Sequence, residues 1–546
     1  MTSMESSSGR ISRAGRALAL AALLAAVAVA FADSSIVVLA LPDLLRRFDV
    51  SITSVAWVVT AYNLSLAVVA LAYSRTRPAA LPAPRAARLG ALVFLVASLG
   101  CAAAPSAWLL VGCRVVQGAG AALLLVGALP LIRSLARTRQ RGTALWAGAG
   151  VLGAALGPAL GGALTDVAGW RAIFLAQAPV AAFALVAALA VGAGGADLAP
   201  LERTAGPKRH AASVALALAS AALVGLLFLA VVQLVDVWRL TPLAAAAVVS
   251  VIPVATLLAQ PVASRLAGAE PAGAVLLATG LAGMAFLPAR NVLWVIAALA
   301  IAGAGLGLLL PGLTQRVLAD AGPSADGAAH TVWIRHAGLV AGILLLTPLL
   351  TADLTAAGQD AKLRGISVVL DAPVSLTAKA RLALDVAPVL ARPPREQLPD
   401  FASTLGSRHD PVLTRMGREL DGVVEATITR GFRRSYLLAG LLGLLALAPL
   451  AVLRGGASRR RPGAAAVALA VAAALVGAEL ASGAQAFGAR PRLEPPCASR
   501  PSGTDSEAQQ LALEGLDFVA CRFHKSREQL LLDVAAWARG LHLPFG

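Results

Sequence analysis

Three ionisable side chains interrupt long apolar runs in this chain: Asp33, Arg114 and Glu479. A charge at the centre of a membrane helix costs about 2.5–3.5 kcal/mol on insertion scales, so each must face a polar cavity or a partner. A carboxylate in that setting is the usual device for taking up and releasing a proton. Asp33 is the first candidate for that work and Glu479 the second. The competing readings are an Asp33 held by nearby hydroxyls or near the outer interface, and a Glu479 near the outer interface or paired with a polar group. Arg114 either faces a polar cavity or satisfies carbonyls or Gln117. Gln117, Asn63, Gln233 and Trp294 fall where helix position allows them to line a cavity. The four cysteines and six histidines show no metal-ligand or redox-pair spacing, so neither a metal nor a cofactor is expected.

The elements that must position these groups are marked by glycine. Around Arg114 the chain reads Arg114-Val115-Val116-Gln117-Gly118-Ala119-Gly120. The next helix carries Gly153, Gly157, Pro158, Gly161 and Gly162. Glycines four apart leave one helix face without side chains, so a neighbouring helix can approach closely. Pro158 deletes one backbone hydrogen bond and favours a bend there.

Of 546 residues, 58% are hydrophobic, and the mean hydropathy is +0.77. Repeated apolar runs of about 20 residues define an all-α polytopic membrane protein. Thirteen spans are predicted, at 17–41, 53–73, 89–104, 108–132, 143–165, 171–194, 211–235, 241–264, 271–289, 292–315, 333–352, 435–453 and 463–488. With the N-terminus inside, segments expected to be cytoplasmic carry 21 basic residues, Arg335 counted among them, and the short outer loops carry 5. This positive-inside bias explains the net charge of +17 better than nucleic-acid binding, for which no basic face with interleaved aromatics exists. A cleaved signal peptide ending near Ala30-Phe31-Ala32 is the minor alternative, because the apolar run resumes past Asp33.

The divisions that follow are a cytoplasmic tail 1–16, a six-helix bundle 17–194, a cytoplasmic loop 195–210, a second six-helix bundle 211–453 with an external insertion 353–434, an extra helix 463–488, and an extracytoplasmic tail 489–546. Within the insertion, Ser375 is placed to cap a helix through Leu382, and a second helix-like run lies near 411–430. The tail reads as two helices, about 505–520 and 527–540, the second opened by Ser526 and Gln529 in capping-box form. Cys497 and Cys521 both fall outside, where a disulfide between them is the preferred reading over two thiols.

Three runs resemble signature motifs of the major facilitator superfamily, nearest its drug/proton antiporters of the fourteen-helix branch. They are Arg114-x-x-Gln117-Gly118-x-Gly120, Gly153-x-x-x-Gly157-Pro158-x-x-Gly161-Gly162, and Ala32-Asp33 through Pro42. Pro242, Gly303 to Pro311, and Arg335-His336-Ala337-Gly338 echo the second half of the same branch. The resemblance covers about residues 17–352. It implies a two-bundle (6+6) core, a proton path through Asp33 and Arg114, and packing or hinging at the helix-five glycines. The extra helix pair of the fourteen-helix members is missing between the bundles. The hallmark loop after the second helix also departs from the pattern. From Arg75 to Arg85 it keeps its arginines, has no acid and holds three prolines.

The expected function is proton-coupled efflux of small hydrophobic or amphipathic compounds across the cell membrane, with protons, the lipid bilayer and a small-molecule substrate as partners. The rival is a transporter-derived binding or assembly protein that meets an envelope partner through 353–434 or 489–546. An enzyme is not expected, because the external segment shows no nucleophile–base pair or metal constellation.

Overall fold

The computed structural model describes residues 12–76, 81–191, 207–263, 265–266, 268–288, 290–321, 324–372, 374–375, 379, 398, 400–406, 411–453, 463–483 and 507–540. The described residues form helices, turns and short connections, with no strand among them.

The first bundle begins with α1 (Arg13–Ile36), which runs through a 3-10 turn (Val37–Ala40) into α2 (Leu41–Phe48). Then follow α3 (Ile52–Thr76), α4 (Ala83–Ala103), α5 (Ala107–Leu135), α6 (Arg139–Ala168) and α7 (Arg171–Ala190). The second bundle comprises α8 (Pro207–Val232) with a π-turn (Gln233–Val237), α9 (Pro242–Val249), α10 (Val251–Ala263), α11 (Ala269–Ala285), α12 (Val292–Ala321), α13 (Ala325–Asp371), α14 (Phe401–Gly406), α15 (Pro411–Gly431), α16 (Arg433–Leu445) and α17 (Leu447–Leu453). Last come α18 (Gly463–Ala481), α19 (Glu507–Arg522) and α20 (Arg527–Gly540).

Ten of these stretches are long and apolar enough to span a membrane, and α6, bent by 42° about Ala155, makes an eleventh. Two further apolar helices, α11 and the α18 stretch Ala466–Ala481, are shorter, so the described residues hold ten or eleven helices of spanning length where thirteen spans were expected. The bend follows from Pro158, whose missing N–H would have bonded the Ala154 carbonyl. Helix starts are set by short polar residues between apolar runs. Ser106 accepts from Leu109 N at 3.3 Å, Thr138 from Arg141 N at 3.2 Å, and Thr241 from Ala244 N at 3.2 Å, with Pro242 in the first turn.

Small residues let the helices meet at backbone distance. A Cβ at Gly153 would strike the Ala28 carbonyl, and one at Gly161 the Ile36 carbonyl, so α6 lies directly on α1. In the second bundle Gly338 and Gly342 of α13 meet Ala217 and Ala221 of α8 in the same way. The two halves thus solve the same packing problem with the same device, as expected when hydrocarbon offers helices no hydrophobic drive to associate.

The segment beyond the eleventh span, expected as an external insertion over 353–434, is largely an extension of the flanking helices among the described residues. Helix α13 does not stop at the membrane but continues to Asp371, and α15 leads back into α16 and α17. The two extensions pack antiparallel, with Gly431 against Leu354 and Ala357, and Leu420 over Gly365. Short α14 tucks under α15, where the Asp421 carboxylate accepts from Phe401 N at 3.1 Å and Ala402 N at 2.9 Å. The Ser375-capped helix lies largely outside the described residues. The helices expected near 411–430 and in the tail are present as α15, α19 and α20. Gln529 N donates to Ser526 Oγ at 3.2 Å, the forward half of the expected capping box. Arg527 of α20 pairs with Asp371, and Gln509 of α19 donates to the Val374 carbonyl at 3.1 Å, so the tail is bound to the α13 end of the stalk.

Candidate functional site

Inside the first bundle four helices carry polar side chains to one point. Asp33 on α1, Arg114 and Gln117 on α5, and Ser98 on α4 are completely buried, and Gln177 on α7 is nearly so. One guanidinium nitrogen of Arg114, Nη1, donates to Asp33 Oδ2 and also to Gln117 Oε1, the latter at 2.7 Å. Arg114 Nε donates to the Val58 carbonyl at 2.9 Å. Gln177 Nε2 donates to the other carboxylate oxygen, Asp33 Oδ1, at 2.6 Å. Gln117 Nε2 then donates to Gln177 Oε1 at 2.7 Å and to Ser98 Oγ at 2.8 Å, closing a ring.

The ring explains how a full ion pair survives in hydrocarbon. Burying two charges costs more than their attraction returns unless further hydrogen bonds satisfy them. Asp33 has donors on both oxygens. The Arg114 guanidinium also lies 4.2 Å from the centre of the Tyr62 ring, whose hydroxyl donates to the Ala30 carbonyl at 2.7 Å. One arginine nitrogen, Nη2, is buried without a hydrogen-bond partner. That is a donor left for a group that arrives.

Asn63 joins at the edge, accepting from Ser34 Oγ at 2.8 Å. Ser34, next to Asp33 in the chain, also lines a small chamber between the bundles. The remaining candidates go elsewhere. Gln233 accepts from the Tyr436 hydroxyl at 2.8 Å inside the second bundle. Trp294 packs half-buried against the apolar core at the start of α12. Glu479 is buried on α18 against Gly283 of α11, not in the cavity between the bundles. Among the described residues Cys101 and Cys113 are free, and Cys497 lies outside them.

Of the helix-five glycines, Gly153, Gly157 and Gly161 face α1 close to Asp33, and a Cβ at Gly157 would collide with Ser35 Oγ. Gly162 instead faces Ala246 and Pro242 of α9, at the junction of the two bundles. One bent helix therefore touches both the ring's own helix and the opposite half.

A cavity of about 120 Å³ lies between the bundles, walled by Phe31, Trp146 and Val151 on one side and by Gln260, Pro311 and Arg335 on the other. A second chamber, of about 20 Å³, adjoins it and shares Phe31 and Arg335. This corrects the place of Arg335. Counted by sequence among the cytoplasmic charges, it is only 8% exposed and reaches over the Phe31 ring at 4.8 Å. The physical reason is that α13 starts at Ala325, so residue 335 already lies about three turns into the helix. Gln177 and Ser98 also escaped sequence reading. A signal for Gln177 existed, since it is the lone strongly polar side chain between Arg171 and Val191.

Two bundles of apolar helices around a central cavity, with a buried carboxylate–arginine ring beside it, define a transporter architecture. Residues 23–345 match the family model described as Major Facilitator Superfamily, and the chain belongs to that family. Relatives include the methylenomycin A resistance protein of Bacillus subtilis, 36% identical over 159 residues, which covers 29% of this chain and 34% of that protein. The multidrug efflux pump LfrA of Mycolicibacterium smegmatis is 37% identical over 166 residues, 30% of this chain and 33% of the relative. The multidrug resistance protein Stp of Mycobacterium tuberculosis is 35% identical over 158 residues, covering 28% and 29%. The chain thus spans about a third of the length of the curated relatives it matches. In fold it is similar to the crystal structure of a bacterial homologue of the human lysosomal transporter Spinster, inward-facing and unoccupied. The TM-score is 0.56 at 17% identity, over 82% of this chain and 100% of that one.

Proposed function

We propose that this protein is a proton-coupled secondary transporter that exports small hydrophobic or amphipathic molecules. The observation that carries the reading is the ring of Asp33, Arg114, Gln117 and Gln177, buried in one bundle, with Ser34, the residue next to Asp33, in the wall of the chamber between both. A proton arriving at Asp33 cancels the charge that holds Arg114. The guanidinium is then free to turn toward another acceptor, and the α1–α5 contact loosens. Because α6 touches both α1 and α9, that change reaches the junction of the halves, where alternating access takes place. The printed names of the relatives, resistance and efflux proteins, favour small-molecule export.

In the same reading the N-terminus is cytoplasmic and the stalk and tail are extracytoplasmic, as the distribution of basic residues supports. Cys497 and Cys521 form a disulfide there. Non-reducing electrophoresis after proteolysis between them should show one fragment that dithiothreitol splits into two. Two fragments without reductant would refute the pairing.

The test of coupling is drug-driven proton movement in proteoliposomes. Asp33→Asn should reduce proton-coupled flux at least about tenfold, while downhill substrate exchange persists, since the neutral amide mimics the protonated acid. Unchanged coupled flux would remove Asp33 from the mechanism.

A further inference from the structure

Among the described residues, those lining the space between the bundles carry several hydrogen-bond donors and no acid. Among the residues lining the 120 Å³ cavity and its smaller neighbour there is no aspartate or glutamate, and one formal charge, that of Arg335. Arg335 is 8% exposed, belongs to the wall of both chambers, and leaves Nε without a hydrogen-bond partner. Across the larger chamber Gln260 Nε2 is a second buried donor with no partner. In the smaller one His336 stands 5.8 Å from Phe31, ring stacked on ring. Its Nδ1 meets the Val332 carbonyl at 2.8 Å and must carry the hydrogen, because a carbonyl only accepts. Its Nε2 has no hydrogen-bond partner.

An unpaired guanidinium buried in this way is unfavourable in the empty protein. The Phe31 face relieves part of that cost through a cation–π contact. A carboxylate, sulfonate or phosphate would relieve more, because arginine presents a planar fork that matches those oxyanions. Asp33 does not serve, since its two oxygens are already taken by Arg114 and Gln177 inside the first bundle. Thr314, Gln315 and Thr331 add uncharged polar groups to the larger space, and Ser34 and Ser35 to the smaller; the rest of the lining is apolar, with Trp146, Val151 and Pro311 around the larger space and Leu223 and Leu227 around the smaller. The volume suits a head group with a few carbons, and the rest of a ligand would follow the apolar seam as the halves part.

From this we infer that the ligand of the central cavity is an anionic amphiphile, whose oxyanion head is bound by Arg335 and Gln260 and whose apolar body lies against Phe31 and Trp146. A lipophilic cation would meet an unshielded guanidinium and no carboxylate. The inference rests on the transport reading for its biological meaning but not for its test.

The test is isothermal titration of the purified full chain in detergent with three probes of one shape: 1-naphthylacetate, 1-naphthylethanol and (1-naphthylmethyl)trimethylammonium. The anion should bind at least about tenfold tighter than the alcohol, and the cation weaker than either. Arg335→Gln should bring the anion down to the level of the alcohol and leave the alcohol within about threefold of its original affinity. Arg335→Lys should keep part of the preference, and serves if the glutamine variant fails to fold. Equal or tighter binding of the cation by the wild type overturns the inference. So does absence of binding by all three, or an anion preference that survives Arg335→Gln. Flux of the same probes in proteoliposomes separates this idea from the transport reading. Arg335-dependent anion binding without flux defeats transport and leaves the anion site standing. Flux of the cation, indifferent to Arg335, does the reverse.

Discussion

Arg114 does four things at once: it pairs with Asp33, bonds Gln117, donates to the Val58 carbonyl and covers the Tyr62 ring. Lysine has neither the fork nor the flat face to replace it. Arg114→Ala should therefore destabilise the folded protein by about 3–5 kcal/mol, the cost of leaving a buried carboxylate without its partner. Gln177→Leu removes one donor from Asp33 and the acceptor from Gln117, and should cost about 1–3 kcal/mol. Thermal unfolding in detergent checks the order: Arg114→Ala should melt lowest, then Gln177→Leu, then wild type. A Gln177→Leu midpoint equal to that of wild type would mean the ring is not closed by this residue. At this scale the sequence was partly legible. Asp33 and Arg114 stood out because charge in an apolar run is conspicuous. Glutamine and serine are common enough in membrane helices that Gln177 and Ser98 did not. Arg335 was misplaced because its neighbours, Trp333 and His336, make the start of the span look like an interface, and only the helix start at Ala325 puts it inside.

At the scale of the element, α6 was read almost completely from spacing. Gly153, Gly157 and Gly161 lie on one face, and Pro158 accounts for the 42° bend one turn earlier. What spacing could not say is which helix occupies the groove, or that Gly162 turns away from α1 toward α9. Partner choice depends on the three-dimensional order of helices, which no single helix records. The contrast is testable within α6. Gly153→Leu and Gly157→Leu should abolish folding or transport, because the added atoms meet the backbone and Ser35 of α1 with no room to yield. Gly162→Leu should spare the first bundle but impair cycling at the α6–α9 contact. At Gly148 an added Cβ meets nothing within 4 Å. Gly148→Ala should then be neutral or stabilise by up to about 1 kcal/mol, through better helix propensity. Expression with size-exclusion profiles, followed by flux, ranks the four variants. A silent Gly157→Leu would sink the close-packing account.

Over the whole molecule, the halves touch at both ends. At one end Tyr73, Ala83 and Ala86 of the first bundle pack with Ala325 and Ala329 of α13, an apolar seam beside the loop that has lost its acid. Residues 77–80 of that loop lie outside the described residues. At the opposite end Arg46 of α2 approaches Asp236 at the end of α8 at 3.8 Å, and α6 meets α9. The stalk belongs to the second half alone. Arg239 pairs with Asp421 at 2.9 Å and Arg290 with Glu425 at 3.0 Å, which tie α15 to the outer loops of its own bundle. The stalk is thus arranged to ride with the second bundle, so outward opening need not break it. Most of the spanning helices were readable from hydropathy, because the membrane imposes a length on every apolar run. The stalk was not, because outside the membrane nothing in hydropathy marks a helix that simply continues. If the α2–α8 contact opens in each cycle, covalent closure there must stop transport. Arg46→Cys paired with Asp236→Cys, bridged by a bifunctional methanethiosulfonate reagent, should block flux, and reductant should restore it, while each single variant stays insensitive to the reagent. Full flux through the cross-linked pair would mean that the outer ends of α2 and α8 move as one body. The opening would then have to lie at the α6–α9 contact instead, where Gly162 keeps the two halves at backbone distance.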